Sequence, residues 1–224
     1  MLRLPNVTLV MADTNCQDFN LKVLRHCASL VEFGAIKLFS NLTSVPAPIQ
    51  PVKVSFKGLA GYNNFIMLEL ARHITTDFVL IVQADGFILN VDRWRDKFLD
   101  YDYVGAPWSV SLHREHPSGT RVGNGGFSLR SKKLLDAAAK LTDYNSARRR
   151  GYDQAEDFHL CKTRYQQLAA LGLKFEDLET AADFSLEVFN ADCPRDYSQV
   201  FGFHGSPKNK YRTQAFLDMV RNKY

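Results

Sequence analysis

The sequence predicts an α/β fold, one mostly parallel central sheet flanked by helices in a single domain. Three runs carry that expectation. Residues 6–12, NVTLVMA, are apolar and rich in β-branched side chains; residues 18–31 repeat apolar groups at helical spacing; residues 35–39, AIKLF, return to a strand pattern. Such a β-α-β unit imposes parallel strands joined by a right-handed crossover. Farther along, Phe78-Val79-Leu80-Ile81-Val82-Gln83 is the most strand-like stretch of the chain. An unbroken apolar run after a helix reads as a central strand covered on both faces.

The remaining elements follow in chain order. The first strand delivers Asp13, Thr14 and Asn15 at its carboxyl end, and the helix after it presents Phe19, Val23, Leu24, Cys27 and Leu30. Residues 43–52, TSVPAPIQPV, contain three prolines and read as an irregular connection. A helix is expected from about Tyr62 to His73, with Phe65, Ile66, Leu68, Leu70 and Ala71 as its apolar face. The second half is less regular: a strand at 103–106, a polar loop at 109–121, a Gly-rich strand at 123–130 and a helix at about 131–141. Two more helices are expected, from about Asp153 to Leu171 and from about Gln214 to Arg221. No repeat and no linker divides the 224 residues, a length that suits one large α/β domain.

Composition narrows the function classes. A hydrophobic share of 46% and a charged share of 23%, with 13 Gly and 8 Pro, are near globular averages. The net charge of +4 is spread along the chain, and its one dense run, Arg148-Arg149-Arg150, reads as a solvated helix end or as a contact for an anionic acceptor. Nucleic acid is not the expected partner. The four cysteines, Cys16, Cys27, Cys161 and Cys193, lack CxxC spacing, which argues against a zinc knuckle and for free thiols in a reducing compartment. The N-terminus carries no apolar core with a cleavage site, and no run approaches the ~18 apolar residues of a membrane span. A soluble cytoplasmic protein, or a soluble domain of a longer chain, is the expectation.

Four segments are candidates for chemistry. Asp85, at the end of the central strand and before Gly86, is placed to hold a hard cation such as Mg²⁺ or Mn²⁺, whose remaining shell would be substrate phosphate and water. Asp-Gly is also an ordinary turn dipeptide. In Val122-Gly123-Asn124-Gly125-Gly126-Phe127-Ser128-Leu129-Arg130, three glycines in a strand-like context call for a close backbone approach, to a ligand or at a bulge. Their spacing matches neither the dinucleotide fingerprint nor the Walker loop. Glu156-Asp157 opens a helix, where anionic side chains favour the dipole; one of the two aimed into a cleft would serve equally as a general base. His204 stands between glycines with Lys208 four residues on, an imidazole suited to metal and an ammonium suited to phosphate.

The order of VLIVQADGFILN, FLDYDYVGAPW, VGNGGFSLRS, EDFHLC, FSLE and FGFHG resembles a family of glycosyltransferases of bacteria and large viruses, over roughly residues 55–206. More distantly it is similar to enzymes of the Rossmann-related GT-A fold such as the β-1,4-galactosyltransferases, and the string His204 to Lys208 resembles part of the glycogenin-type pattern. The resemblance implies a nucleotide-diphospho-sugar donor, a glycan or glycoconjugate acceptor and Mn²⁺ or Mg²⁺. It implies Asp85 as the last acid of a DXD-like motif, His204 as the second metal ligand, Asp157 as the base of an inverting enzyme, and Glu156 as an acceptor contact or a brace. Asp13 and Thr14 would meet the base and ribose, Gly125 and Gly126 would let backbone approach the donor, and Lys208 would meet the diphosphate. The motif here is Gln83-Ala84-Asp85, an amide in place of the first acid, so the metal site would carry less charge and Gln83 would hydrogen-bond the ribose. Residues 1–105 would form the nucleotide-binding half and 106–224 the acceptor side, with Trp108 offering a face to a sugar ring.

Two other classes compete. A nucleotidyltransferase acting on sugar phosphates would also use a carboxylate-bound metal, but it should carry a Gly-rich basic loop after the first strand, and MADTNCQDF has none. A catalytically inactive carbohydrate-binding domain of the same fold would lack the base.

Overall fold

A computed structural model describes residues 1–14, 18–108, 121–141, 155–187 and 190–205. The strands are β1 (Leu2–Ala12), β2 (Val31–Ser40), β3 (Gln50–Lys53), β4 (Phe78–Ile81), β5 (Gly86–Ile88), β6 (Tyr103–Val104), β7 (Ser128–Ser131), β8 (Ser185–Leu186) and β9 (Gly202–His204). Six of them form the main sheet in the order β3-β2-β1-β4-β7-β6, parallel except for β7, which runs antiparallel to both neighbours. This is the mixed, mostly parallel sheet that the sequence predicts.

Period-two alternation explains why both faces of the sheet are covered. Leu9 and Met11 of β1 and Leu80 of β4 join one apolar core with Val23, Leu24 and Cys27 of the helix Asp18–Leu30, while their sequence neighbours Val10, Val79 and Ile81 join another. That second core is closed by Tyr62, Phe65 and Ile66, from a helix that starts at Gly58 and widens into a π-type turn at Phe65–Glu69. A third core, around Tyr103, Trp108, Leu134, Phe158 and Leu160, sits under the second half of the chain. Cys27, Cys161 and Cys193 are buried free thiols, and Cys16 lies outside the described residues. Among the described residues, no helix is long and apolar enough to cross a membrane.

Four expectations need correction. The proline-rich connection ends in a strand, β3, because an edge position pairs only on one side and accommodates Pro51 without a lost ladder bond. The Gly-rich segment is strand only from Ser128 onward; its glycines form a loop before β7. The helix expected at 153–171 divides, into Glu156–Phe158 with a π-type turn at His159–Thr163 and then Tyr165–Ala170. Finally, a three-stranded second sheet, β5-β9-β8, has no counterpart in the sequence-based expectation. Its strands are two or three residues long, too short for a periodic pattern to register. The terminal helix expected from about Gln214 and the run Arg148-Arg149-Arg150 lie outside the described residues.

Leu80 is fully buried where the sheet meets the first core. Leu80→Ala should cost about 2–5 kcal/mol in urea unfolding. A cost below that of a surface substitution would mean that β4 is not the central strand.

Candidate functional site

The carboxyl ends of β1 and β4 open on a cavity of about 350 Å³, which is where open α/β sheets place ligands. Its lining comes entirely from residues 11–85 and includes Asp13, Thr14, Phe56, Tyr62, Gln83 and Asp85. Asp13 accepts a hydrogen bond from Asn20 Nδ2 at 2.6 Å, and Thr14 Oγ1 donates to the Phe56 carbonyl at 2.7 Å, which fixes both side chains at the rim.

Asp85 stands on a tight turn. Gln83 and Gly86 exchange both backbone hydrogen bonds, at 2.9 and 3.1 Å, so the chain reverses through Ala84 and Asp85. The Gly205 amide then donates to the Asp85 carbonyl at 2.6 Å, tying the turn to β9. Across the β5–β9 ladder Gly86 faces His204. His204 Nε2 lies 3.6 Å from Asp85 Oδ1 and 3.2 Å from Gln83 Oε1, while Gln83 Nε2 donates to the Tyr62 hydroxyl at 3.1 Å. Burial disfavours a charged His204, but the carboxylates of Glu187 and Asp85 outweigh it and raise the proton affinity of the ring.

These donors suit a hard divalent cation. Asp85 Oδ1 on the turn and Gln83 Oε1 just before it both lie near His204 Nε2 at the end of β9, and the two oxygens are of the kind that Mn²⁺ or Mg²⁺ takes, with phosphate and water able to fill the rest of a shell. Among the described residues, no group of three or more His, Cys, Asp or Glu side chains is arranged to hold a metal by itself.

The glycine loop explains how the second half of the chain reaches this point. The Gly125 amide donates to Asp157 Oδ2 at 2.8 Å, and a Cβ on Gly125 would fall 2.5 Å from Glu156 Oε1. A Cβ on Gly126 would fall 2.1 Å from His204 Nε2. Two consecutive glycines thus let one strip of backbone touch both the Glu-Asp pair and the histidine, the close approach for which glycine is used.

The adjacent carboxylates have different surroundings. Glu156 is buried and paired at 2.6 Å with the fully buried guanidinium of Arg130, which also lies 4.9 Å from the Tyr103 ring centroid and donates through Nε to Ser128 at 3.0 Å. Asp157 is half-buried, and burial, reinforced by the Glu156 charge, pushes its carboxyl up to about 7 against the pull of Arg130 and of the Phe158 and Gly125 amides.

Asp13, Thr14, Gln83 and Asp85 therefore share one cavity; His204 stands beside Asp85, Gly126 lies against that histidine, and Gly125 lies against Glu156 and Asp157. Gln83 is engaged by Tyr62 and His204. Trp108 departs from expectation: it is only 8% exposed, packed on Phe158 with Lys162 Nζ 5.2 Å over its ring, so it presents no open face to a sugar. Lys208 lies outside the described residues. Sequence reasoning missed Arg130, Tyr62 and Glu187. Arg130 and Glu187 stand within strings already singled out, but nothing in a linear string tells which buried partner each meets.

The sheet order and the cavity at the strand ends define a GT-A fold, and comparison with solved structures agrees. A glycosyltransferase involved in glycosylation of the major capsid of PBCV-1 is similar over 95% of this chain and 98% of its own, at 13% identity and a TM-score of 0.57. The galactosyltransferase LgtC, in complex with donor and acceptor sugar analogues, is similar over 95% of both chains at 13% identity and a TM-score of 0.56. Residues 49–204 match the family model DUF5672, described as a protein of unknown function, and the chain belongs to that family. No curated protein matches the sequence.

The raised proton affinity of Asp157 carries a stability consequence. Because its folded value, about 7, exceeds the ordinary 3.8, the folded state holds more protons than the unfolded chain between those pH values, and stability from this group falls as pH rises through that window. Asp157→Asn removes the charge and should raise the unfolding midpoint at pH 8 relative to wild type, with little difference below pH 4. Equal midpoints for the two proteins across that range would show that the site does not penalise the carboxylate.

Proposed function

We propose that the protein is a glycosyltransferase that moves a sugar from a nucleotide-diphospho-sugar to a hydroxyl of a glycan or glycoconjugate, with inversion at the anomeric carbon. The observation that carries this reading is the glycine pair at 125 and 126, whose backbone meets Asp157 through Gly125 and His204 through Gly126, with His204 Nε2 3.6 Å from Asp85 of the cavity that Asp13, Thr14 and Asp85 line. Residues 1–105 would hold the donor and residues 106–224 would shape the acceptor side. The reading takes the protein as a soluble cytoplasmic enzyme.

Asp13 and Thr14, fixed at the rim by Asn20 and by the Phe56 carbonyl, would orient the nucleoside. Asp85 and His204 would hold Mn²⁺ or Mg²⁺, which when bound neutralises charge gathering on the diphosphate. Lys208, close after His204 in the sequence, would add a cation for the same oxygens. The Gly126 backbone lies against His204, close to this point. Asp157 would take the proton of the acceptor hydroxyl as its oxygen bonds to the anomeric carbon, while the bond from that carbon to the diphosphate oxygen breaks and the electron pair leaves with the diphosphate. A base with an affinity near neutral pH is matched to that task.

Release of nucleoside diphosphate from a panel of nucleotide sugars, with and without Mn²⁺, is the first test; a protein that turns over none of them with any glycan acceptor is not a transferase. Asp157→Asn should keep donor affinity and slow single-turnover transfer by about 10²–10⁴-fold. In the wild type, transfer should rise with pH through about 7, as Asp157 loses its proton, and level off above it. Near-normal transfer by the variant removes Asp157 as the base. Asp85→Asn should abolish metal-dependent donor binding in calorimetry without changing the unfolding midpoint, since the side chain is half exposed and outside the core. Unchanged donor affinity would place the cation elsewhere.

A further inference from the structure

The second sheet does more than tie down a loop. β8 and β9 pair in parallel with Ser185 opposite Gly202 and Leu186 opposite Phe203, so the next step of the same register sets Glu187 beside His204. Laterally paired residues project from the same face of a sheet, and the structure follows that rule: Glu187 Oε1 lies 3.5 Å from His204 Nδ1. On the other side of β9 the partner of His204 is Gly86, which has no side chain to compete for the ring. The imidazole is held edge to edge, with Nδ1 toward Glu187, Nε2 toward Asp85 and Gln83, and the Gly126 backbone against it.

From this arrangement we infer that Glu187 is a positioning residue for the donor site. Its carboxylate, 3.5 Å from an Nδ1 that no closer partner among the described residues satisfies, is the acceptor within reach of that nitrogen's proton and so selects the tautomer whose Nε2 lone pair is turned toward Asp85. The inference rests on the donor-site reading above and adds a residue to it. A neutral imidazole carries one proton on one of two nitrogens, and the partner of the first nitrogen decides what the second can do. Without an acceptor at Nδ1, the Gln83 Oε1 atom 3.2 Å away would draw the proton to Nε2 and close the ring nitrogen to a cation. The amide that replaces the first acid of the motif makes this selection matter more, because one carboxylate, Asp85, is left to supply the charge. Glu187 is itself largely buried, with 19% of its side chain exposed, so the contact is sheltered from water.

The test uses Mn²⁺ alone as the probe, with free Mn²⁺ followed by electron paramagnetic resonance and no turnover needed. Glu187→Ala should weaken Mn²⁺ binding by about 10–100-fold, the usual effect of removing an outer partner of a metal-bound histidine. Glu187→Gln, whose amide oxygen can still accept the Nδ1 proton, should restore affinity to within about threefold of wild type on the same reasoning. Unfolding midpoints are measured alongside; if the alanine variant does not fold, Glu187→Asp, which withdraws the carboxylate by one methylene, takes its place with the same expected loss. Wild-type affinity in the alanine variant overturns the inference and leaves the donor-site reading standing. Equal loss in the alanine and glutamine variants also overturns it, since charge and not orientation would then be what Glu187 supplies. A wild-type protein that binds no Mn²⁺ overturns both the inference and the cation part of the donor-site reading.

Discussion

The ion pair between Arg130 and Glu156 sits where the two halves of the chain must meet. Arg130 lies in β7, the antiparallel strand beside β4, and Glu156 opens a helix on the far side of the glycine loop. Neither charge is exposed to water, so each would cost several kcal/mol to bury alone. Together, with Ser128 on Nε and Tyr103 against the guanidinium, they offset much of that cost. The consequence is directional. An ion pair that tolerates little displacement fixes the start of the helix against the sheet, and with it the position of Asp157. Breaking one partner of such a pair typically costs about 3–5 kcal/mol because the other is left buried and uncompensated.

That geometry gives two neighbouring carboxylates different work. Glu156 spends its charge on a guanidinium in the interior. Asp157, one residue on, feels the Glu156 charge as repulsion and burial as a further penalty, and its proton affinity rises toward neutral pH in spite of two amide donors. Adjacent titratable groups with separated environments hold their protons with different affinity. The repulsion and the brace are the same charge seen from two distances.

A second constraint is the small sheet. Short strands at Gly86–Ile88, Ser185–Leu186 and Gly202–His204 bring together the turn after β4, the residue after β8 and the end of β9. Phe87, Phe203 and Phe201 anchor it in the first core, with Phe87 and Phe203 in edge contact at 4.8 Å between ring centroids. The polar groups at its tip are consequently held from below by aromatic packing that no ligand needs to assemble.

The sequence by itself determined the central strands of the main sheet, because strands such as β1 and β4 bury alternate residues in two different cores and must be apolar throughout, a pattern visible without coordinates. It also determined that Asp85 closely follows a central strand and that the run from Val122 to Phe127 needs glycine. The reason for those glycines belongs to the tertiary structure. Gly125 lies against Glu156 and Asp157, and Gly126 lies against His204, residues distant in the chain whose meeting no local pattern encodes. The same holds for Trp108, whose aromatic character is plain in sequence while its cover by Phe158 and Lys162 is not. It holds for Glu187 too, which follows a strand of only two residues, too short to carry a period, and acquires its partner through the register of β8 with β9. Periodicity reports which side of an element is buried; which side chains then touch is fixed by how the elements pack.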